Sequence, residues 1–297
     1  MELALALPAP AKLNLFLRIT GRRADGYHEL QTAFTLIELC DLLDFERRAD
    51  GAIVRQGDLA GPADSDLVVR AAHALKKTSS TSYGVTIDVT KRIPAGSGMG
   101  GGSSDAATTL IALNRLWDLN LSREQLGAIG LTLGADVPFF LHGRNALAAG
   151  IGERLTTLEL PPAWYAIVWP QVHVSTADIF ADLGLTRNSK VTKIAPFSAA
   201  ESARSSASVA GNTVPSPAGH EVMSNDLEPV ARRRYPSIDE AIRHLERFGA
   251  ARMTGSGSAV FVTAESRKRA EQAIEGLSPA WRGWVVRGVD EHPLSVW

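Results

Sequence analysis

The sequence predicts an α+β fold made of two domains, residues 1–160 and residues 161–297. Three observations lead to this prediction. The first 60 residues contain strand-like runs and little helical periodicity. Helices with capping residues and regularly spaced apolar positions follow. The second half then has the order helix, strand, turn, strand, helix, strand, which is typical of helices on one face of an antiparallel sheet.

The first half contains strands followed by helices. Residues 12–19 alternate imperfectly between polar and apolar side chains, and an Asp-Gly turn follows them. Further strands are expected near residues 32–37, 43–46, 53–55 and 83–90. Helices are expected over residues 67–77, capped by Asp64 and Ser65, over about 104–117, and from a Ser122–Gln125 capping box to Gly134.

The second half is predicted from a similar pattern. Strands are expected near residues 165–169, 251–253, 259–263 and 284–289, and helices over residues 176–183, 237–248 and 265–277. Ser237 and Glu240 form a predicted capping box for the second of these helices. Residues 187–221 are rich in Ser, Ala, Asn and Pro and have little periodicity, so they are predicted to be a long surface loop.

Composition excludes several classes of function. Of 297 residues, 45% are hydrophobic, and the net charge is −1. A general nucleic-acid or membrane-surface binder would carry a basic bias. The run from Arg232 to Arg234 is too short to be a basic patch, and we predict that it is a solvated helix end.

The cysteine count and the N-terminus point to the cytoplasm. Cys40 is the only cysteine, which fits a reducing compartment, and its apolar neighbours predict a small core residue. The N-terminus does not have the pattern of a signal peptide, and no stretch approaches the ~20 apolar residues of a membrane span. We therefore expect a cytoplasmic protein without a membrane partner.

The strongest chemical signal is a glycine-rich stretch, residues 91–107, that leads into an Ala-rich helix. Gly98, Gly100, Gly101 and Gly102 have no Cβ atom, so backbone N–H groups can approach an anion closely. The partial positive charge of the following helix N-terminus points to the same place. The stretch therefore predicts a phosphate-binding loop, with Gly101 expected at a positive φ.

The loop alone does not fix the class of nucleotide-binding protein. It lacks the GxxxxGK[ST] pattern of a Walker loop. Gly96, Gly98 and Gly101 match GxGxxG, the dinucleotide fingerprint, but the expected second parallel strand with an acidic end is missing. A nicotinamide-dependent oxidoreductase therefore remains an alternative from the loop. The companion motifs of protein kinases are absent from the sequence.

Three separate motifs, in order, resemble those of the galactokinase, homoserine kinase and mevalonate kinase superfamily. They are residues 10–32, residues 130–143 and residues 253–261, and the glycine-rich stretch, residues 91–107, resembles the phosphate loop of the same superfamily. The additional glycines of the loop resemble those of one branch of this superfamily. Members of that branch phosphorylate a cytidine diphosphate-linked methylerythritol in the non-mevalonate isoprenoid pathway. Ser97 and Met99 depart mildly from the loop pattern, and residues 187–221 are longer than expected.

The resemblance implies a fold, a reaction and partners. It implies a ribosomal-S5-like N-terminal half that binds ATP and a ferredoxin-like C-terminal half. ATP would donate its γ-phosphate, with Mg²⁺, to the 2-hydroxyl of the methylerythritol unit. The partner is then a small molecule, with no nucleic acid, and the protein is expected to be a monomer or weak dimer. A kinase of the mevalonate or homoserine type and a non-catalytic RNA-binding relative remain alternatives.

The resemblance also assigns residues to roles. Lys12 and Asp136 correspond to the catalytic pair, in which Asp136 is the general base. The residues expected at ATP are Pro94, Gly96, Gly98, Met99, Gly100, Gly101, Gly102, Ser103 and Ser104, and Ser104 is also the predicted Mg²⁺ ligand. The residues expected at the acceptor are Asn14, Tyr27, His28, Thr176 and Phe180.

The residues alone leave some of these roles open. Asp136 is equally compatible with a turn former, since Pro138 is expected to prevent a helix there. Without a partner, Lys12 would be an edge-strand lysine facing water, and Phe180 would be an ordinary core residue. Asn14 lies two residues from Lys12 and is therefore expected on the same strand face.

Overall fold

The computed structural model describes residues 3–24, 26–58, 65–182, 184–185, 189 and 223–297. The predicted loop over residues 187–221 lies outside the described residues apart from Ser189, and so does Asp64.

Strand β2 is the centre of the N-terminal sheet. The strands of this half are β1 (Leu3–Arg22), β2 (His28–Arg48), β3 (Ile53–Gly57), β4 (Gly84–Thr90), β5 (Ala146–Gly150) and β6 (Arg154–Thr157). β2 pairs antiparallel with β1 along most of its length, with β5 near its start and with β4 near its end. The two predicted runs at 32–37 and 43–46 are thus one long strand, and the sequence patterns missed β5 and β6.

Four helices cover this sheet: α1 (Leu67–Ser79), α2 (Gly101–Leu116), α3 (Arg123–Leu133) and α4 (Val137–His142). Asp66 caps α1, and the predicted capping box of Ser122 and Gln125 is present at α3. α2 is buried along most of its length, which its small side chains permit. The prediction that Pro138 prevents a helix was wrong, because Pro138 lies in the first turn of α4, where no N–H partner is needed.

The C-terminal half has ferredoxin-like topology. Its elements are β7 (Trp164–Trp169), α5 (Thr176–Ala181), α6 (Glu228–Arg234), α7 (Pro236–Glu246), β8 (Arg252–Met253), β9 (Val260–Ala264), α8 (Arg267–Ile274) and β10 (Arg282–Val289). The strands are ordered β10-β7-β9-β8, and each neighbouring pair is antiparallel. The predicted capping box at Ser237 was wrong: Pro236 begins α7, and its N-cap residue Tyr235 makes no side-chain cap.

The two halves form a continuous sheet. β10 pairs with β2 through Gly288–Ile37 and Val289–Leu36, which joins the strands into one ten-stranded sheet. A buried apolar cluster that includes Leu13, Met99 and Phe261 draws on both halves. The division at residue 160 remains a prediction.

Two further sequence predictions can be compared with the structure. Cys40 is half-buried and belongs to none of the apolar clusters, so the prediction of a core cysteine was wrong. Among the described residues, no helix combines the length and apolar character needed to cross a bilayer.

Candidate active site

Strand β1 carries a buried lysine into the interior between the two halves. Lys12 is only 3% exposed, and its backbone N–H donates to the Met99 carbonyl at 3.0 Å. Its ammonium donates to Asn14 Oδ1 at 2.5 Å and lies 5.2 Å from the centre of the Phe34 ring. A buried ammonium requires a counter-charge, because desolvation disfavours an isolated charge. The prediction of an edge-strand lysine facing water is therefore excluded.

Asp136 supplies that counter-charge. Its Oδ2 lies 3.4 Å from Lys12 Nζ, and its side chain is 34% exposed. Asp136 occupies the N-cap position of α4 but makes no side-chain capping bond. An N-cap carboxylate usually accepts from the second or third helical N–H, and Pro138 has no N–H to offer. The carboxylate thus pairs with Lys12 and still reaches the cavity.

A turn of Gly255, Ser256 and Gly257 in the C-terminal half, here called the Gly/Ser turn, lies next to this pair. Asn14 N–H donates to Thr254 Oγ1 at 3.0 Å, and Asn14 Nδ2 donates to Thr32 Oγ1 at 2.9 Å. Gly255 has a φ of +56°, and a Cβ there would lie 3.4 Å from Lys12 Nζ. The turn is also bonded to the glycine-rich loop, since Ala259 N–H donates to the Ser97 carbonyl. The three sequence motifs therefore meet at one place.

The glycine-rich loop forms the wall of a cavity of about 340 Å³. Gly96, Gly98 and Gly100 have positive φ values of 67°, 78° and 75°, and Gly100 is the N-cap residue of α2. Only glycine adopts such angles without strain. The 16-residue α2 directs its positive N-terminus at the loop. Pro94, Gly101, Gly102 and Ser103 also line the cavity.

Three details of the predicted loop differ from the structure. Gly101 does not have a positive φ, because it is already the first residue of α2, and a Cβ there would meet Ile93 at 2.9 Å. The Met99 side chain is buried in the apolar cluster between the halves, so only its backbone belongs to the loop surface. Ser104 is fully buried and lines neither cavity, whereas Ser103 lines both. Ser103, rather than Ser104, is thus the loop serine at the two cavities.

Sequence reasoning missed a buried charge cluster beside the loop. Lys91 Nζ donates to Asp105 Oδ2 at 2.6 Å and also to Asp41, whose carboxylate is fully buried. Asp41 in turn accepts the backbone N–H of Ile93 at 2.8 Å. Burial, opposed by Lys91 and reinforced by Asp41, raises the pKa of Asp105 to about 7. Lys91 and Asp105 flank the glycines in sequence, which was the available signal, but Asp41 lies on a distant strand.

A second cavity, of about 850 Å³, adjoins the first. The predicted acceptor and catalytic residues Lys12, Asn14, Tyr27, His28, Asp136, Thr176 and Phe180 all line it. Gly96, Gly98, Gly100 and Ser103 line both cavities, so the two spaces meet at the glycine-rich loop. A donor in one cavity and an acceptor in the other would have their reactive groups near Lys12 and Asp136.

Aromatic side chains lie at the other end of the second cavity. The rings of His28 and Phe180 stack with a centroid distance of 5.0 Å and an interplanar angle of 29°. This spacing is that of two rings in direct contact, so no third ring fits between them. Tyr27 is 62% exposed. Thr176 hydrogen-bonds to Ser256 at 2.7 Å, which ties α5 to the Gly/Ser turn.

Comparison with known proteins identifies the class of enzyme to which this chain belongs. The family descriptions "GHMP kinases N terminal domain" and "GHMP kinases C terminal" match residues 66–144 and 217–282. A solved homoserine kinase from Cytophaga hutchinsonii, 16% identical, shares the fold with a TM-score of 0.68 over 98% of this chain and 96% of that one. The two matched regions are therefore those of a GHMP kinase, an ATP-dependent enzyme, and the fold agrees with that class.

Proteins with higher sequence identity to this chain identify its family within the GHMP kinases. A 4-diphosphocytidyl-2-C-methyl-D-erythritol kinase from Cupriavidus taiwanensis is 50% identical over 97% of this chain and 94% of its own. One from Aromatoleum aromaticum is also 50% identical, over 98% and 95%. A crystal structure of such a kinase has a TM-score of 0.74 at 34% identity, covering 97% of this chain and 99% of that one. The chain belongs to the 4-diphosphocytidyl-2-C-methyl-D-erythritol kinase family, and the oxidoreductase and sister-kinase alternatives are set aside.

Proposed function

We propose that this protein transfers the γ-phosphate of ATP to the 2-hydroxyl of 4-diphosphocytidyl-2-C-methyl-D-erythritol. The observation that carries the proposal is the Lys12–Asp136 pair, 3.4 Å apart, which lines the larger cavity next to Gly100, one of the loop residues shared by both cavities. Family membership indicates the substrate, and the pair gives the reaction a base and a cation at the point of transfer.

Asp136 acts as the general base in this proposal. Its carboxylate takes the proton of the 2-hydroxyl as the hydroxyl oxygen forms a bond to the γ-phosphorus. The bond from the γ-phosphorus to the bridging oxygen breaks, and ADP leaves. Lys12 holds the carboxylate in place and offsets the negative charge on the moving phosphoryl group. Asn14 fixes the lysine, because its amide oxygen accepts from the ammonium.

The glycine-rich loop holds the triphosphate of ATP. The N-terminus of α2 offers backbone N–H groups and a partial positive charge, and positive-φ glycines keep Cβ atoms away from the phosphates. The phosphates run from the smaller cavity toward Lys12, since Gly98 and Gly100 line both spaces.

The donor groups beside the loop fit Mg²⁺. Ser103 offers a hydroxyl and Asp105 a carboxylate at the smaller cavity, which we call the nucleotide cavity. Both groups are the hard oxygen donors that Mg²⁺ prefers. The part of the chain that the structure describes contains no cluster of three or more acidic, His or Cys side chains suited to a metal. A bound Mg²⁺ would neutralise part of the charge of the ATP phosphates, and Ser103 and Asp105 are the side chains that would hold it on the protein side.

The aromatic end of the larger cavity receives the cytidine. The exposed Tyr27 ring offers a face for stacking, and His28 and Phe180 already stack on each other, so cytosine lies beside their stack. Thr176, at the start of α5, lines the same space and offers a hydroxyl to the substrate.

The proposed location and domain division of the enzyme are based on its sequence. We propose a cytoplasmic location, because one cysteine and a net charge of −1 fit a reducing compartment and a small-molecule partner. The division into domains 1–160 and 161–297 places the ATP loop in the first and Phe180 in the second.

A coupled ADP-release assay tests the proposal. The wild-type protein is given MgATP with the cytidine substrate, mevalonate or homoserine, and the product is checked by mass and phosphorus NMR. We expect rapid turnover only with the cytidine substrate and a new phosphate monoester on its 2-oxygen. Turnover of mevalonate or homoserine at a higher kcat/KM would overturn the substrate assignment.

A further inference from the structure

The arginine run at the end of α6 is solvent-exposed, as predicted, and two of its arginines also form ion pairs. Asp182 Oδ1 accepts from Arg233 Nη2 at 2.8 Å, and Asp182 Oδ2 accepts from Arg234 Nε at 2.8 Å. Asp182 also accepts the backbone N–H of Gly184 at 2.8 Å. Its side chain is 12% exposed, whereas the two arginines are 56% and 41% exposed. One carboxylate thus holds two guanidinium groups from a different helix.

Asp182 is the C-cap residue of α5, the helix that carries Thr176 and Phe180. With six residues, α5 is too short to be stable by itself. Its first turn is held by the Ser175 cap and by the Thr176–Ser256 hydrogen bond. Its middle is held by the buried Ile179. At its C-terminal end, the Asp182 carboxylate ties the helix to α6, and the His28 ring stacks on Phe180 in the last turn.

We propose that the clamp formed by Asp182, Arg233 and Arg234 positions Phe180 and Thr176 for the cytidine-bearing substrate. The inference rests on the proposed function, because it assigns this end of the cavity to cytidine. Asp182 lines neither cavity and does not touch the substrate, so it is a positioning residue. Arg233 and Arg234 act through it in the same way.

The clamp is expected to affect acceptor binding selectively. No residue of α5 or α6 lines the nucleotide cavity, so ATP binding does not depend on the clamp. Lys12 and Asp136 lie on β1 and α4, so the transfer step is also independent of it. Partly exposed ion pairs add little to global stability. Loss of the clamp therefore raises the KM for the acceptor with little change in kcat or in the unfolding midpoint.

The test is steady-state kinetics of Asp182→Asn, which keeps the acceptor for Gly184 N–H and removes the charge. We expect a roughly five- to tenfold rise in KM for the cytidine substrate, with kcat and the KM for ATP within twofold of wild type. The matched control is Asp178→Asn on the same helix, whose carboxylate is exposed and makes no ion pair in the described part of the chain. It should leave all three constants unchanged.

The double variant Arg233→Gln/Arg234→Gln removes the clamp from the other side. It should raise the same KM by a similar factor, and adding Asp182→Asn to it should have little further effect. An acceptor KM within twofold of wild type in both clamp variants would overturn the inference, as would equal changes in the acceptor KM, the ATP KM and kcat. Failure of the proposed function is a separate outcome, in which wild-type protein does not phosphorylate the cytidine substrate.

Discussion

Lys12 Nζ lies 3.4 Å from Asp136 Oδ2, although the two residues come from a strand and a short helix far apart in the sequence. Lys12 is buried and Asp136 is partly exposed, so the lysine is fixed while the carboxylate remains open to the larger cavity. In the proposed reaction, this arrangement would place the carboxylate beside the acceptor hydroxyl and the lysine beside the transferred group. It leads directly to the first prediction.

Asp136→Asn is expected to lower kcat by about 10²–10⁴-fold, because an amide cannot accept the hydroxyl proton and a positioned base contributes that much. The amide keeps the size of the side chain, so both substrates should still bind. The measurement is kcat by the coupled assay, together with ATP and acceptor affinities by calorimetry. A kcat close to wild type would show that Asp136 is not the base.

Lys12→Met should be similarly damaging, because it removes the cation and leaves Asp136 without its partner. If the pair acts as one unit, the Lys12→Met/Asp136→Asn variant is little worse than the more damaged single variant. Kinetics of all three variants complete the double-mutant cycle. Fully additive losses would instead indicate two independent roles.

Gly98→Ala is expected to abolish ATP binding. Gly98 has a φ of +78°, and a Cβ there would lie 2.2 Å from the Thr254 carbonyl oxygen, so the loop must move away from the Gly/Ser turn. The measurement is ATP affinity by calorimetry, with circular dichroism to show that the variant is folded.

Gly127→Ala is the matched control for this change. Gly127 lies inside α3, and a Cβ there meets nothing within 4 Å. Alanine is favoured over glycine in a helix interior by roughly 0.5–1 kcal/mol, so this variant should be slightly more stable and bind ATP normally. Normal ATP affinity of Gly98→Ala would be inconsistent with a phosphate-binding role for the loop.

The sequence predicted a glycine-rich loop ahead of a helix correctly, because that signal is local. Glycines at positive φ and a helix start are encoded within a few consecutive residues. It predicted the Gly101 backbone wrongly because the helix begins one residue after Gly100, and helix boundaries are weakly encoded. It missed Asp41 as a partner of Lys91 because the contact spans 50 residues and depends on β2–β4 pairing.

Pro138 and Asp182 also depend on structural context that a local sequence pattern does not contain. Pro138 was read as a helix breaker, but a proline is compatible with a first helical turn, and a local pattern does not show which side of the boundary it occupies. The Asp182 clamp joins residues 51 and 52 positions apart. Such contacts exist only once α5 and α6 pack together, so no local pattern could indicate them.

Phe180→Ala is expected to raise the KM for the cytidine substrate by roughly five- to a hundredfold, since base stacking contributes about 1–3 kcal/mol. The KM for ATP should not change, because Phe180 does not line the nucleotide cavity. His28 would also lose its stacked partner at 5.0 Å. Phe180→Tyr keeps the ring and should retain most of the affinity. Parallel rises in both KM values would show that Phe180 mainly supports the core.

The buried carboxylate of Asp105 is expected to make the stability of the protein depend on pH. Burial is the main reason that the pKa of Asp105 rises from 3.8 to about 7, with Asp41 adding to the effect and Lys91 opposing it. A carboxyl whose pKa is higher in the folded state binds its proton more tightly when folded. Its contribution to stability is therefore full at low pH and is lost as pH rises through about 7.

Asp105→Asn has no carboxyl group to titrate at this position. As the pH rises from 5 to 8, the unfolding free energy of the wild type should therefore fall relative to that of the variant. We expect a shift on the order of 1–3 kcal/mol, since each unit of pKa difference corresponds to about 1.4 kcal/mol. Urea unfolding at pH 5, 6, 7 and 8 measures it. Asp118→Asn, at a carboxylate that is 71% exposed, is the control and should follow the wild-type pH profile. A pH-independent difference between Asp105→Asn and wild type would mean that Asp105 is already ionised throughout this range and that Lys91 outweighs the effect of burial.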